Sequence, residues 1–144
     1  MTLAVVLDVN ILASAATSEH GSPRRILLAG VQRQFQMFTS HHILTKLTDT
    51  FEKPYFAARL QPQDRADFVN MVSRMSTHYE PDHTVRGIAP DLEDDLVLGT
   101  AVAARADFLV TGDKGLLTIG EYRGVRIITA GSFLEALAEA EGNR

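Results

Sequence analysis

The sequence predicts an α/β protein with one mostly parallel sheet of four to five strands and helices on both faces. Three observations carry this. Leu3 to Leu7 is an unbroken apolar run with no polar alternation, as a central parallel strand covered on both faces requires. Similar short apolar runs recur at Phe35 to Thr39, Phe108 to Thr111 and Val125 to Ile128, mostly separated by stretches with helical apolar spacing. At 144 residues the chain is long enough for one core without staples and fits a single domain over 1–144, with a core to 134 and a helix end and tail over 135–144.

The elements follow in order. Ser22-Pro23 opens the first expected helix, Ser as N-cap and Pro in the first turn, and Gly30 stops it. Ser40 caps the next, whose Ile43, Leu44, Leu47 and Phe51 share one face until Pro54 ends it. Pro62 begins a third, with Phe68, Val69, Val72 and Met75 inward. Pro81 and Pro90 bracket a stretch that is either strand or extended loop near Thr84-Val85. Leu96, Leu98, Ala101, Val102 and Ala106 mark a well-buried helix, and Phe133, Leu134 and Leu137 mark the last one, after Gly131-Ser132.

Composition narrows the chemistry. With no cysteine, disulfides, thiolate zinc sites and cysteine nucleophiles are excluded. The apolar N-terminal run is too short to span a membrane and has neither the basic flank nor the cleavage pattern of a signal peptide, so a soluble, cytoplasmic protein with no membrane partner is expected. The net charge of −4 argues against nonspecific grip on duplex nucleic acid. Residues 1–86 carry nine Lys/Arg and eight Asp/Glu, whereas residues 87–144 carry five and ten. Such asymmetry suits either an anionic pocket beside a basic rim or an ordinary solvated surface.

Ligands of open α/β sheets bind outside the carboxyl ends of the strands. There the first strand ends in Asp8-Val9-Asn10 and a later one in Thr111-Gly112-Asp113, while Asp94-Asp95 begin the helix between them. Taken singly, acids at a helix N-terminus read as capping. Gathered at one rim they repel, and hard oxygen donors with no His or Cys among them select Mg²⁺ or Mn²⁺ over zinc. Ions held in this way are suited to phosphodiester hydrolysis.

These residues carry a family resemblance. Asp8-Val9-Asn10 after an apolar strand, Asp95 before Leu96-Val97-Leu98-Gly99-Thr100-Ala101, and Leu109-Val110-Thr111-Gly112-Asp113 resemble the acidic signature of PIN domains. Lys53-Pro54-Tyr55-Phe56 and Gly120-Glu121-Tyr122-Arg123-Gly124-Val125 are similar to a bacterial VapC-like subgroup labelled as toxins of toxin–antitoxin pairs. The resemblance implies a three-layer α/β/α fold, Mg²⁺- or Mn²⁺-dependent ribonuclease activity on an RNA substrate, a cognate antitoxin protein and a homodimer. It implies that Asp8, Asp95 and Asp113 bind metal and are catalytic, that Asn10 and Thr111 orient them, and that Asp94 supports them.

One position departs. The family's second acid, usually Glu, falls on Lys46 when Ser40 and Pro54 are aligned, and a charged lysine cannot ligate a cation. Either Lys46 neutralises the aspartates in place of one metal ion, or it is a surface lysine. Asp49, three residues on, is either a displaced ligand or the partner of Lys46. An active ribonuclease and a weakened or inactive module that binds antitoxin or RNA both remain open. Arg24, Arg25 and Lys53 are candidates for RNA phosphate contact. Phosphatases of the haloacid-dehalogenase type are disfavoured by Asn10 in place of a second Asp, and dinucleotide enzymes by the lack of Gly-x-Gly-x-x-Gly after the first strand.

Overall fold

A computed structural model describes residues 2–142. Its strands are β1 (Ala4–Leu7), β2 (Gln36–Thr39), β3 (Ser76–His78), β4 (Phe108–Val110), β5 (Glu121–Tyr122) and β6 (Val125–Ile128). Its helices are α1 (Val9–Thr17), α2 (Ser22–Val31), α3 (His41–Phe51), α4 (Pro54–Ala57), α5 (Pro62–Met75), α6 (Leu92–Ala103), α7 (Lys114–Ile119) and α8 (Ala130–Gly142). Residue 1 and the last two residues of the expected 135–144 tail lie outside the described residues.

Val5, Val6 and Leu7 are all at most 2% exposed, so successive side chains on both faces of β1 are covered and the sheet is the middle of three layers. The order is β3-β2-β1-β4-β6-β5, with parallel pairing everywhere except at β5–β6. The sheet therefore has six strands rather than four to five. The two additional strands are short edges whose pairing comes from backbone hydrogen bonds rather than from an apolar pattern. β5 joins β6 through Arg123-Gly124, both at positive φ (47° and 84°), the backbone of a two-residue hairpin. Thr84-Val85 is loop.

From β1 the strand order runs outward through β2 and β3 on one side and through β4 and β6 on the other. The chain thus reverses its winding between β1 and β4, which opens a crevice at their carboxyl ends. Three helices were not anticipated: α1, α4 and α7. Asp8 closes β1 and is the N-cap of α1, and Asp113 does the same between β4 and α7, where its carboxylate accepts from the Leu116 N–H at 2.9 Å. Gly21, not Ser22, is the N-cap of α2, while Ser40 caps α3 as expected. The core centres on β1 and β4, with Phe133 of α8 edge-on to Phe35 and Phe108 at ring separations of 5.1 and 5.8 Å.

Candidate active site

The crevice at the reversal, about 280 Å³, is lined by Asp8, Asn10, Lys46, Lys53, Asp94 and Asp113, over a floor that includes Ala13, Phe56 and Val97. Asp8 is almost fully buried. Its Oδ1 accepts from the Val9 N–H at 2.7 Å and its Oδ2 from the Thr111 hydroxyl at 2.7 Å. Burial pushes the Asp8 carboxyl above its ordinary pKa and the nearby Asp113 adds to the rise, against the stabilising bonds from Thr111 and Val9.

Thr111 is fully buried and also accepts the Asp113 N–H at 3.0 Å, so one hydroxyl sets the positions of two acids. Asn10 accepts the Gly112 N–H at 3.3 Å and fixes the same turn. Thr111→Val, which keeps the shape and removes both hydrogen bonds, is expected to cost roughly 2 kcal/mol in urea unfolding at pH 7.5.

Asp94, expected as a supporting residue, lines the crevice, and Asp95, expected as a metal ligand, lies elsewhere. Asp95 does not line the crevice. It is 2% exposed and its carboxylate accepts three backbone N–H groups of the preceding loop, from Gly87 at 2.8 Å, Ile88 at 3.2 Å and Ala89 at 2.8 Å. Adjacent residues on a helix point about 100° apart, so only one of the pair can face the sheet edge. Asp94 shares a stripe with Leu98 and Ala101, both wholly buried beside the strands, and stands one turn before Val97 of the crevice floor. Asp95 shares its stripe with Gly99, where an added Cβ would lie 2.9 Å from the Asp82 carbonyl oxygen, so that stripe faces the loop. The loop in turn reaches the site, because Pro90 packs so closely on Gly115 that a Cβ there would meet it at 3.1 Å, beside Asp113. Asp95 thus holds the loop that packs beside Asp113.

Asp94 is the most frustrated acid. Burial, then Asp113, Asp8 and Asp91, push its carboxyl up to about 6, and only Lys46 pulls the other way. Lys46 enters the crevice from α3 and donates to Glu93 of α6, not to Asp49, which is exposed and outside the crevice lining. Burial alone would lower the Lys46 pKa, but Glu93, Asp94 and Asp91 raise it above its ordinary value, so it is a cation at neutral pH.

Of the basic candidates, Lys53 lines the crevice. Arg24 is half-buried and its Nε donates to the Ala15 carbonyl at 2.6 Å, which ties α2 to α1. Arg25 lines a separate groove between α2 and α8. Phe56 packs on Phe51 at 6.0 Å, while exposed Tyr55 carries the Arg59 guanidinium 3.6 Å above its ring. Sequence reasoning did not single out Glu93 as the partner of Lys46, since nothing local signals a contact between residues 47 apart.

The donor set of the crevice is all hard oxygen. Among the described residues no three acidic, His or Cys side chains stand where they could together hold a metal ion. Yet Asp94 carries a raised carboxyl with no hydrogen bond to offset the two aspartates facing it, and a divalent cation is the charge that relieves this arrangement. Asp8, Asp94 and Asp113 thus offer the charge and the oxygen donors that such an ion takes, without standing as a formed shell.

Solved structures share this architecture. PAE2754 from Pyrobaculum aerophilum superposes with a TM-score of 0.67 at 17% identity, covering 95% of this chain and 90% of its own. VapBC2 from Rickettsia felis, bound to a DNA fragment from their promoter, gives 0.62 at 14% identity, with 88% and 98% covered. FitAcB from Neisseria gonorrhoeae gives 0.57 at 12% identity, with the same coverage of 88% and 98%. No curated protein matches the sequence. A family profile described as the PIN domain matches residues 4–115, which take in both strand-end aspartates, the α6 acids and the strands that carry them: the chain belongs to the PIN domain family.

Proposed function

We propose that this protein is a Mg²⁺- or Mn²⁺-dependent endoribonuclease, the toxin component of a cytoplasmic toxin–antitoxin pair, and that it works as a homodimer. The observation that carries the proposal is the meeting of Asp8, Asp94 and Asp113 on one crevice at the sheet's reversal point. These three residues would hold the ion. A divalent cation there supplies the Lewis-acid charge for in-line displacement at phosphorus.

The chain's own residues do the rest. Thr111 and Asn10 hold Asp8 and the Asp113 turn in place, Asp95 fixes the loop that buttresses Asp113, and Lys53 offers a cation to a substrate phosphate at the rim. Family membership supports nuclease chemistry. The shared fold with VapBC2 and FitAcB supports an antitoxin partner. Among the described residues no helix is long and apolar enough to cross a membrane.

A second reading has an observation of its own. Lys46, held in the crevice by Glu93, suits a weakened or inactive module that binds antitoxin or RNA without cutting it. Purified protein incubated with single-stranded RNA and Mn²⁺ separates the two. Internal cleavage abolished by EDTA is the expected result, and RNA bound but intact over a range of sequences, with and without Mn²⁺, would favour the second reading.

A further inference from the structure

Beside the crevice, one aromatic ring stands in water. Tyr55 of α4 is 56% exposed, whereas its neighbour Phe56 is half-buried, packed on Phe51 and part of the crevice lining. The two rings meet edge to face at 4.9 Å, which anchors Tyr55 to that floor. The exposed Arg59 guanidinium lies 3.6 Å from the centre of the Tyr55 ring, and its Nη1 donates to the Tyr55 carbonyl at 2.7 Å, so ring and cation are held as one stack. Arg65 of α5 donates to the Ala57 and Leu60 carbonyls at 3.3 and 3.0 Å and fixes the turn that carries both. From Lys53 to Gln63 the chain has two cations, Lys53 and Arg59, and no acid. Among the described residues neither is in an ion pair.

We infer that Tyr55 and Arg59 form a stacking platform for an unpaired base of the RNA, next to the phosphate that Lys53 holds at the crevice rim. This rests on the RNA-cleaving reading above and adds that the substrate is single-stranded at that point. Bases stack on aromatic rings and guanidinium planes only where their own faces are free, which a duplex does not offer. Lys53 and Phe56, on either side of Tyr55 in the chain, both line the crevice, so the platform continues the surface on which the phosphate lies. That continuity, with two cations free to meet a polyanion, favours a strand of the same RNA over a separate protein partner. The stack is also preformed, because Arg59 is already tied to the backbone of α4, and little ordering remains to be done on binding.

Fluorescence anisotropy of a labelled single-stranded RNA, read in EDTA so that the strand stays intact, tests this on the full chain. Tyr55→Ala is expected to weaken binding about tenfold and Tyr55→Phe, which keeps the ring, by less than about twofold, with no change for a duplex of the same sequence. In Mn²⁺, single-turnover cleavage by Tyr55→Ala should need about tenfold more protein to reach half its maximal rate, while that rate stays within about twofold of the wild type. A 2-aminopurine base in the strand should be quenched on binding to the wild type and not to Tyr55→Ala. Unchanged single-strand binding by Tyr55→Ala, or an equal loss on duplex, would overturn the inference and leave the nuclease reading standing. Should Tyr55→Ala fail to fold by circular dichroism, unchanged single-strand binding by Arg59→Ala overturns it instead. A wild type that neither binds nor cuts single-stranded RNA would overturn the RNA-cleaving reading itself.

Discussion

Asp94→Asn is expected to lower RNA cleavage by about 10³-fold or more, the loss of a ligand charge that stabilises the transition state by several kcal/mol. Its melting temperature without metal should equal or exceed that of the wild type, because the substitution removes a carboxylate repelled by Asp113, Asp8 and Asp91. Asp8→Asn should abolish cleavage in the same way. Asp95→Asn should do the opposite. Its carboxylate accepts three loop N–H groups, and an amide keeps one acceptor oxygen while turning donors toward other donors. The expected cost is about 3 kcal/mol, or roughly 10 °C in melting temperature for a domain of this size. The protein that remains folded at 20 °C should cut RNA within about tenfold of the wild-type rate, since Asp95 acts through the loop and not on the ion. Thermal melts and single-turnover cleavage on both variants decide the matter. An Asp95→Asn protein that melts normally and cuts nothing would make Asp95 the ligand and refute this phase of α6.

That pair shows where the sequence stops being readable. Asp8, Thr111 and Asp113 were legible because buried parallel strands are unbroken apolar runs, and the residue that ends such a run must lie at the sheet edge. Asp94 and Asp95 sit on a helix whose buried residues wrap most of its girth, Val97, Leu98, Gly99, Thr100 and Ala101 among them, so hydrophobic periodicity does not fix its phase. The usable signal was Gly99, a glycine inside a helix marking a close backbone neighbour, one turn beyond Asp95. Helix α1 was missed for a related reason. Val9, Ile11 and Leu12 continue the apolar run of β1, and the acid between them reads equally as strand end or N-cap, which it is both. Strands β3 and β5 have no periodic signature in three and two residues, and exist because edges of a formed sheet offer unpaired backbone groups. The Lys46–Glu93 contact depends on how α3 and α6 meet, a tertiary fact that no local pattern carries.

The wild-type protein without metal is expected to melt at higher temperature as the pH is lowered from 7.5 toward 5, and Mn²⁺ should reverse that trend. Asp94 has its carboxyl raised from an ordinary 3.8 to about 6 in the folded chain. Between those values the folded state holds more protons than the unfolded one, so stability is lost as pH rises through the window. Asp8 is shifted the same way. Asp82, held below its ordinary value by the Thr84 hydroxyl and N–H, acts with the opposite sign but only near and below pH 3.8, outside the range. Asp94 is half-buried, so water still screens part of the effect and the slope should be modest. Mn²⁺ competes with these protons. At a hundredfold excess over its dissociation constant it adds about 2.7 kcal/mol, or roughly 5–10 °C, at pH 7.5, and progressively less as Asp94 and Asp8 take up protons. Asp94→Asn is the internal control, because it should flatten the metal-free slope and remove most of the Mn²⁺ shift together. A wild-type melt indifferent to both pH and Mn²⁺ would mean that the three aspartates share a crevice without sharing a charge.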